Sequence, residues 1–367
     1  MKIGITKAFL QNFQAGTWVY TRNLLQALDG LETPAERIVT LDFLDAPITG
    51  LNRIDHHRYP LPVNRLGKII WPNLVLPRAA ARDGFDLVHA TTHYGTFVPC
   101  KYRNVITVTD VSPLLHPETH GRMKVLYHRH ILPLVLRRAD AVITISESSK
   151  SDILACCPVQ AEKVHAIPLG VDRRFTTDAA LGSAFAAALP EEYILYIGTL
   201  EARKNLPRLL AAYAKARKKG LTHKLLIGGA TGWRLSPLAA VVDEYTLQDH
   251  VVFLGFVADA DLPALYARAD FFVYPSLYEG FGMPILEAMA SGTPVITSNC
   301  SSMPEVAGDA ALLVDPLDAG DIAAKMLALA GSAELRGDLR LKGIANARRF
   351  TWRETAQRTL AVYREVC

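Results

Sequence analysis

Along the 367 residues, short runs of consecutive apolar positions alternate with longer stretches in which apolar residues recur every three or four places. Runs of the first kind suit strands buried on both faces, and the second period suits helices packed on a core. The alternation predicts two α/β halves with parallel sheets and crossover helices. Strands are expected at 2–6, 37–43, 86–90, 104–110, 140–146 and 163–168 in the first half. In the second they are expected at 193–199, 224–228, 251–255, 270–275, 294–298 and 311–314. Helices are expected at 19–28, at 124–138 and, behind Phe350-Thr351-Trp352, at 354–365.

The first half ends in the turn Pro168-Leu169-Gly170-Val171-Asp172, and the loosely patterned 173–190 precedes the next strand. This divides the chain into domains at 1–170 and 171–350, with a last helical segment at 351–367. Both domains read as doubly wound. Two such sheets facing each other bind ligands beyond the carboxyl ends of their strands, so the site is expected in an interdomain cleft. Neither half follows its first strand with Gly-x-Gly-x-x-Gly, and no Gly-x-x-x-x-Gly-Lys-Ser/Thr loop is present. Dehydrogenase and P-loop NTPase readings therefore lose their main support.

Composition narrows the class. With 50% hydrophobic and 21% charged residues, the chain is globular and neither disordered nor collagen-like. Cys100, Cys156, Cys157, Cys300 and Cys367 form neither a disulfide framework nor a zinc-ligand spacing, which suits a reducing compartment. No apolar run approaches the about 20 residues of a membrane span, and the chain opens on a strand pattern. A cytoplasmic protein is expected, one that meets a membrane only peripherally, at its inner face. The net charge of +4 is uneven: up to Gly170 there are 19 Lys and Arg against 14 Asp and Glu, and beyond it 21 against 22. That excess is too small for a nucleic-acid surface, but it allows a patch that meets anionic lipid or an anionic acceptor. Residues 65–77, with Ile69, Ile70 and Trp71, are a better membrane-contact candidate than the basic and apolar 124–138, which is read as a packing helix, but buried packing is the preferred reading for 65–77 as well.

The densest chemistry lies in Tyr274-Pro-Ser-Leu-Tyr-Glu279-Gly280-Phe281-Gly282-Met283-Pro284-Ile-Leu-Glu287. A strand end, glycines that admit close approach, and a helix with Pro284 in its first turn make a strand–loop–helix unit. Its open helix N-terminus suits phosphate. Glu279 and Glu287 are placed to flank one ligand and accept from sugar hydroxyls. Equally, Glu287 is read as a first-turn charge favouring the helix dipole and Glu279 as a surface loop residue.

Three other segments belong beside it. Gly198-Thr199-Leu-Glu-Ala-Arg203-Lys204-Asn205 puts cations after a strand, with Asn205 as the expected N-cap of the next helix. Such a pair either meets an anion or forms a solvated face. Val257 follows another strand, and Leu262, Leu265 and Tyr266 read as core. In the first half, Gly16 and Thr17 stand at a helix start, as a phosphate approach or a simple turn. Asp110 closes the fourth strand, with His89, His93 and His116 as neighbours in sequence.

Glu279, seven residues including Gly-Phe-Gly, and Glu287 together resemble the signature of the retaining glycosyltransferases of family four, which have the GT-B fold. The likeness extends through Gly292-Thr-Pro-Val-Ile and Pro304-Glu305-Val-Ala-Gly308 to Asp315-Pro316, and covers essentially the whole chain. It implies that Glu279 contacts the donor hexose, Gly280, Phe281, Gly282 and Met283 cradle sugar and phosphate, and Glu287 binds ribose. It further implies Arg203 and Lys204 on the diphosphate with Gly198, Gly16 and Thr17 nearby, Val257 at the nucleobase, and a last helix that crosses back to the first domain. Many members carry His-Asp where this chain has Thr109-Asp110, so Asp110 is carried over without a histidine. The second half is read as lacking an Asp-x-Asp metal pair, so neither metal nor cofactor is expected. Likeness to bacterial mannosyltransferases of polysaccharide and O-antigen assembly implies GDP-mannose as donor and a glycan or lipid-linked glycan as acceptor. A UDP-hexose donor, or a nucleotide-sugar-binding partner without turnover, is the alternative. Arg203, Lys204, Glu279 and Asp110 are the catalytic set so implied.

Overall fold

Apolar runs in this chain become strands wherever both faces are covered. The computed structural model describes residues 1–7, 16–32, 35–43, 48, 50–60, 67–178, 189–229 and 238–367. These residues divide into two compact units: Met1–Pro117 with Gly121–Gly170 and Thr351–Cys367, and Val171–Phe350 with Glu118–His120.

The sheet of the first unit contains β1 (Lys2–Thr6), β2 (Arg37–Asp42), β3 (Asp55–Arg58), β4 (Leu87–Ala90), β5 (Arg103–Thr107), β6 (Ala141–Thr144) and β7 (Val164–Ala166). They are parallel, in the order β3-β2-β1-β4-β5-β6-β7. The second unit contains β8 (Tyr193–Ile197), β9 (Lys224–Gly228), β10 (Val251–Gly255), β11 (Phe271–Tyr274), β12 (Val295–Ser298) and β13 (Ala311–Val314). Their order is β10-β9-β8-β11-β12-β13, again parallel. Both sheets are doubly wound, and in the second the direction of winding switches between β8 and β11. Central positions such as Ile3, Val105, Leu195 and Phe272 are fully buried, as strands covered on both faces require.

One strand escapes the hydrophobic pattern. β3 reads Asp-His-His-Arg and pairs at the sheet edge, Val39 opposite Asp55 through Asp42 opposite Arg58. An Arg37–Asp55 ion pair at 2.9 Å and a Thr40 Oγ1–His56 Nδ1 contact at 3.0 Å support it. A strand recruited by backbone pairing and cross-strand polar contacts leaves no apolar run to read. The expected 124–138 helix is in fact two, Arg122–His130 and Leu132–Arg138. Pro133 has no N–H to continue the ladder, and the chain breaks at Ile131. In the segment 65–77, where it is described, the preferred reading of buried packing applies at Trp71. Trp71 is buried at 1% exposure and donates its indole N–H to the Tyr59 carbonyl at 2.8 Å, so its ring is core. Among the described residues no helix is long and apolar enough to cross a membrane.

The last helix, Trp352–Val366, packs in the first unit. Thr351 caps it by accepting from the Glu354 N–H at 3.2 Å, and Thr355 and Arg358 donate to the carbonyls of Pro168 and Ala166. Deeper, the Tyr363 hydroxyl meets His89 Nδ1 at 2.5 Å, while His89 Nε2 meets Thr107 Oγ1 at 2.7 Å. Thr107 in turn meets the Tyr20 hydroxyl at 3.0 Å, on the helix Gly16–Asp29. Burial pushes His89 down to about 3, so this ring stays neutral. The two chain crossings between units run side by side: the Val171 N–H donates to the Phe350 carbonyl at 3.1 Å, and Gly170 lies so close to the Trp352 backbone that no Cβ fits.

Candidate active site

In an open parallel sheet the switch point leaves two strand-end loops diverging, and polar groups gather there. In the second unit these loops follow β8 and β11. The first carries Gly198 and a 3-10 turn, Ala202–Lys204, ending at Asn205 in the left-handed region with φ 62°. Asn205 is therefore not the expected side-chain N-cap. Its amide donates instead to the carbonyls of Pro275 at 3.0 Å and Pro316 at 2.6 Å, stitching this loop to those after β11 and β13. A backbone bond from the Leu277 N–H to the Arg203 carbonyl at 2.8 Å adds a second stitch.

Those ties converge Arg203, Lys204 and Glu279. Arg203 Nη1 donates to Glu279 Oε2 at 2.9 Å and to the Tyr278 carbonyl at 3.0 Å, while Nε faces Glu201 at 3.2 Å. Lys204 Nζ donates to Glu279 Oε1 at 2.6 Å and to the Tyr274 hydroxyl. Lys204 and Glu279 are only 5% and 7% exposed, which makes a solvated basic face untenable. Burial alone would raise the Glu279 carboxyl, but the Arg203 and Lys204 charges overrule it and hold it at about 2. Burial pulls the Lys204 ammonium down to about 8, although Glu279 works against the shift.

The glutamate loop is clamped from below. Ser301 Oγ accepts from the Glu279 N–H at 3.2 Å and lies 2.6 Å from the Glu279 carbonyl. Ser302 Oγ lies 2.8 Å from the carbonyls of both Glu279 and Phe281. Gly282 then takes φ 107°, a left-handed conformation that side chains disfavour, and opens the helix Met283–Ala290, which no side chain caps. Its N-terminus is thus presented to an anion. Glu287 sits in the second turn of this helix, not the first, and accepts from the Tyr266 hydroxyl at 3.0 Å. Burial raises this half-buried carboxyl to about 7.

Sequence reading treated Tyr266 as plain core and passed over Tyr274. Their rings are buried, but their hydroxyls end on Glu287 and on Lys204, and the stack Tyr266–Phe272–Tyr274–Tyr196 joins the two positions from beneath. A buried tyrosine needs a partner for its hydroxyl, and that demand is the signal the pattern contained. Gly229 was also missed. Held at φ 147°, it approaches the Gly198 carbonyl so closely that a Cβ would overlap it, and its N–H donates to Gly255 at 2.7 Å. Gly228 abuts Val257, which is 7% exposed. Next to Val257, Asp259 bears a side chain 62% exposed, with its carbonyl accepting from Arg174 Nη1 at 2.8 Å. Asp259-Ala260-Asp261 is an Asp-x-Asp triplet, so the expectation of none in the second half fails. No group of three or more metal-capable side chains gathers among the described residues.

Other expected residues lie in the first unit. Gly16 is exposed at the first position of the helix Gly16–Asp29, and the Thr17 carbonyl accepts from Thr21 Oγ1 at 2.9 Å; residues 8–15 before them fall outside the described residues. Asp110 lies beyond the end of β5, which stops at Thr107, and accepts from the Ser112 N–H at 2.9 Å. Of the nearby histidines, His89 is committed to the core. The His93 ring lies 4.6 Å from that of His128, tilted by 50°, and burial lowers the His128 pKa while the Asp110 charge acts against that shift.

Two doubly wound units, with paired cations, a carboxylate and an uncapped helix end at a switch point, define a glycosyltransferase of the GT-B architecture. Residues 15–175 match the family model for Glycosyltransferase Family 4, and residues 183–348 that for Glycosyl transferases group 1. O-antigen chain mannosyltransferase B of Escherichia coli is 36% identical over 301 residues, 78% of this chain and 76% of that protein. The serotype-specific mannosyltransferase WbdA of Escherichia coli is 30% identical over 267 residues, 70% of this chain but 32% of that longer protein. Among solved structures, Anabaena HepE in complex with UDP and glucose covers 100% of both chains with TM-score 0.77 at 19% identity. The chain belongs to glycosyltransferase family 4. That membership sets aside the reading of a nucleotide-sugar binder without turnover.

Proposed function

We propose that the protein is a retaining mannosyltransferase that uses GDP-mannose and delivers the hexose to a hydroxyl of a glycan or lipid-linked glycan. The observation that carries this reading is the convergence of Arg203 and Lys204 on Glu279 beside the uncapped helix Met283–Ala290. An ammonium has three donors, and Tyr274 and Glu279 take two from Lys204, leaving one for a diphosphate oxygen. In the step proposed, the bond from anomeric carbon to diphosphate oxygen breaks while the acceptor oxygen bonds on the same face. The acceptor proton passes to the departing diphosphate, whose growing charge Arg203 and Lys204 offset. Glu279 orients the hexose, and Glu287 takes the ribose hydroxyls.

We assign Asp259, whose exposed carboxylate also stands 3.6 Å from Arg174 Nη1, to the nucleobase beside Val257, where it would suit guanine better than uracil. Guanine presents two adjacent N–H donors, which a carboxylate matches in bidentate fashion, whereas uracil presents one between two carbonyls. The mannosyltransferase relatives support the same choice of sugar. A UDP-hexose is the second reading, favoured by the UDP and glucose in HepE. A thermal-shift series with GDP-, UDP- and ADP-sugars, followed by transfer to a glycan acceptor, tests the donor. Stabilisation by UDP-hexoses alone sinks the GDP-mannose assignment, and no shift with any nucleotide sugar sinks the donor site itself.

A further inference from the structure

Between Gly121 and Ala139 the chain has Arg122, Lys124, Arg129, Arg137 and Arg138 but no acidic residue. Both helices formed there, Arg122–His130 and Leu132–Arg138, keep an apolar inner face: His128, Leu132, Val135 and Leu136 are at most 1% exposed. An ordinary surface helix would then be polar outside. Here the outer face breaks that rule. Met123 is 78% exposed, Leu126 46% and Leu134 41%. Met123, Leu126 and the exposed His130 follow one another at three- and four-residue spacing, on the side of the helix away from buried His128. Arg122 and Arg129, both exposed and seven positions apart, run alongside.

A helix with apolar tips outward, cations beside them and no acid is built to lie in the headgroup region of a bilayer. Long cationic stems reach phosphate oxygens while their methylenes lie beside the apolar tips. From this arrangement we propose that the outer face of Arg122–His130 and Leu132–Arg138 docks the protein on an anionic phospholipid surface, with Met123, Leu126 and Leu134 inserted and Arg122 and Arg129 on lipid phosphates. The surface is independent of the donor reading, since it uses none of the residues assigned to the nucleotide sugar. It also moves the membrane contact to 124–138, which sequence reading assigned a packing role, from 65–77, which was the better of the two candidates in sequence.

The test is co-sedimentation of the full chain with vesicles of phosphatidylcholine alone or of equimolar phosphatidylcholine and phosphatidylglycerol, without nucleotide sugar. The chain is expected to sediment with the anionic vesicles only, and to be released near 1 M salt, where the Debye length is about 3 Å. Arg122→Glu with Arg129→Glu, and separately Met123→Glu with Leu126→Glu, should each lower partitioning by roughly tenfold or more. Because these side chains are exposed, both variants should keep the wild-type unfolding midpoint. Equal binding to both vesicle types, or binding that survives either double substitution, overturns the proposal. So does retention on immobilised polyglutamate without vesicle binding, which would make the face a site for an acidic polypeptide.

Discussion

Lys204 and Glu279, 75 positions apart in sequence, meet at 2.6 Å in a setting where each is almost wholly buried. A pair so placed serves structure as well as chemistry. Lys204→Ala leaves Glu279 with Arg203 only, and breaking a buried pair from one side costs about 3 kcal/mol or more. Lys204→Ala should therefore lower unfolding stability by about that amount as well as abolish transfer. Adding Glu279→Gln should restore part of the stability and none of the transfer. Denaturant titrations of the two single variants and the double variant give the coupling; additive losses would mean the contact is not energetically real.

Lys204 and Glu287 together set a pH window. Lys204 is charged below about 8 and Glu287 is ionised above about 7, so kcat/KM, which reports the free enzyme, should peak between those values. Lys204→Arg keeps its charge and should carry the basic limb beyond the measurable range, whatever it costs in geometry. A basic limb unmoved in that variant removes Lys204 from the assignment.

Glu287 also links pH to stability. Its folded value is raised from 4.5 to about 7, so its contribution is fully present below 4.5 and is lost as pH rises through 7. At about 1.4 kcal/mol per pH unit, the loss is at most about 3.5 kcal/mol. Glu287→Gln should flatten that window in thermal melts taken across it, and an unchanged slope would show that another group is responsible.

Gly229→Ala is expected to disturb donor binding without touching any charged residue. A Cβ there overlaps the Gly198 carbonyl, so the rim between β8 and β9 must part. Nucleotide-sugar affinity should fall by tenfold or more, and calorimetric titration of the variant would reveal it; wild-type affinity would show that the rim yields freely.

The pattern of apolar runs is enough to place twelve strands: central ones such as β8 and β11 are buried on both faces, and even the partly exposed β10 and β13 keep a contiguous apolar run. β3 was invisible because Asp55, His56, His57 and Arg58 are held by an edge and by polar neighbours. At the site, the charged residues stood out in sequence, but their mutual neutralisation did not. Arg203 and Lys204 look like free cations until two loops, stitched through Asn205, bring Glu279 between them. The tyrosines were hidden for a related reason: one end of each ring obeys the hydrophobic pattern while the other obeys a hydrogen-bond demand that only tertiary structure meets.

The contact between Tyr363 and His89 has a bearing on the order of events during synthesis. His89 leaves the ribosome early, yet the hydroxyl that satisfies its buried Nδ1 belongs to a helix made 274 positions later. Domains generally complete in the order they emerge. Here the second unit has all its segments before Thr351 is added, while the first waits, with an unfilled polar position in its core, for the Trp352–Val366 helix. A nascent chain arrested after Phe350 should therefore protect the later-made unit from protease and leave the earlier-made one open to it.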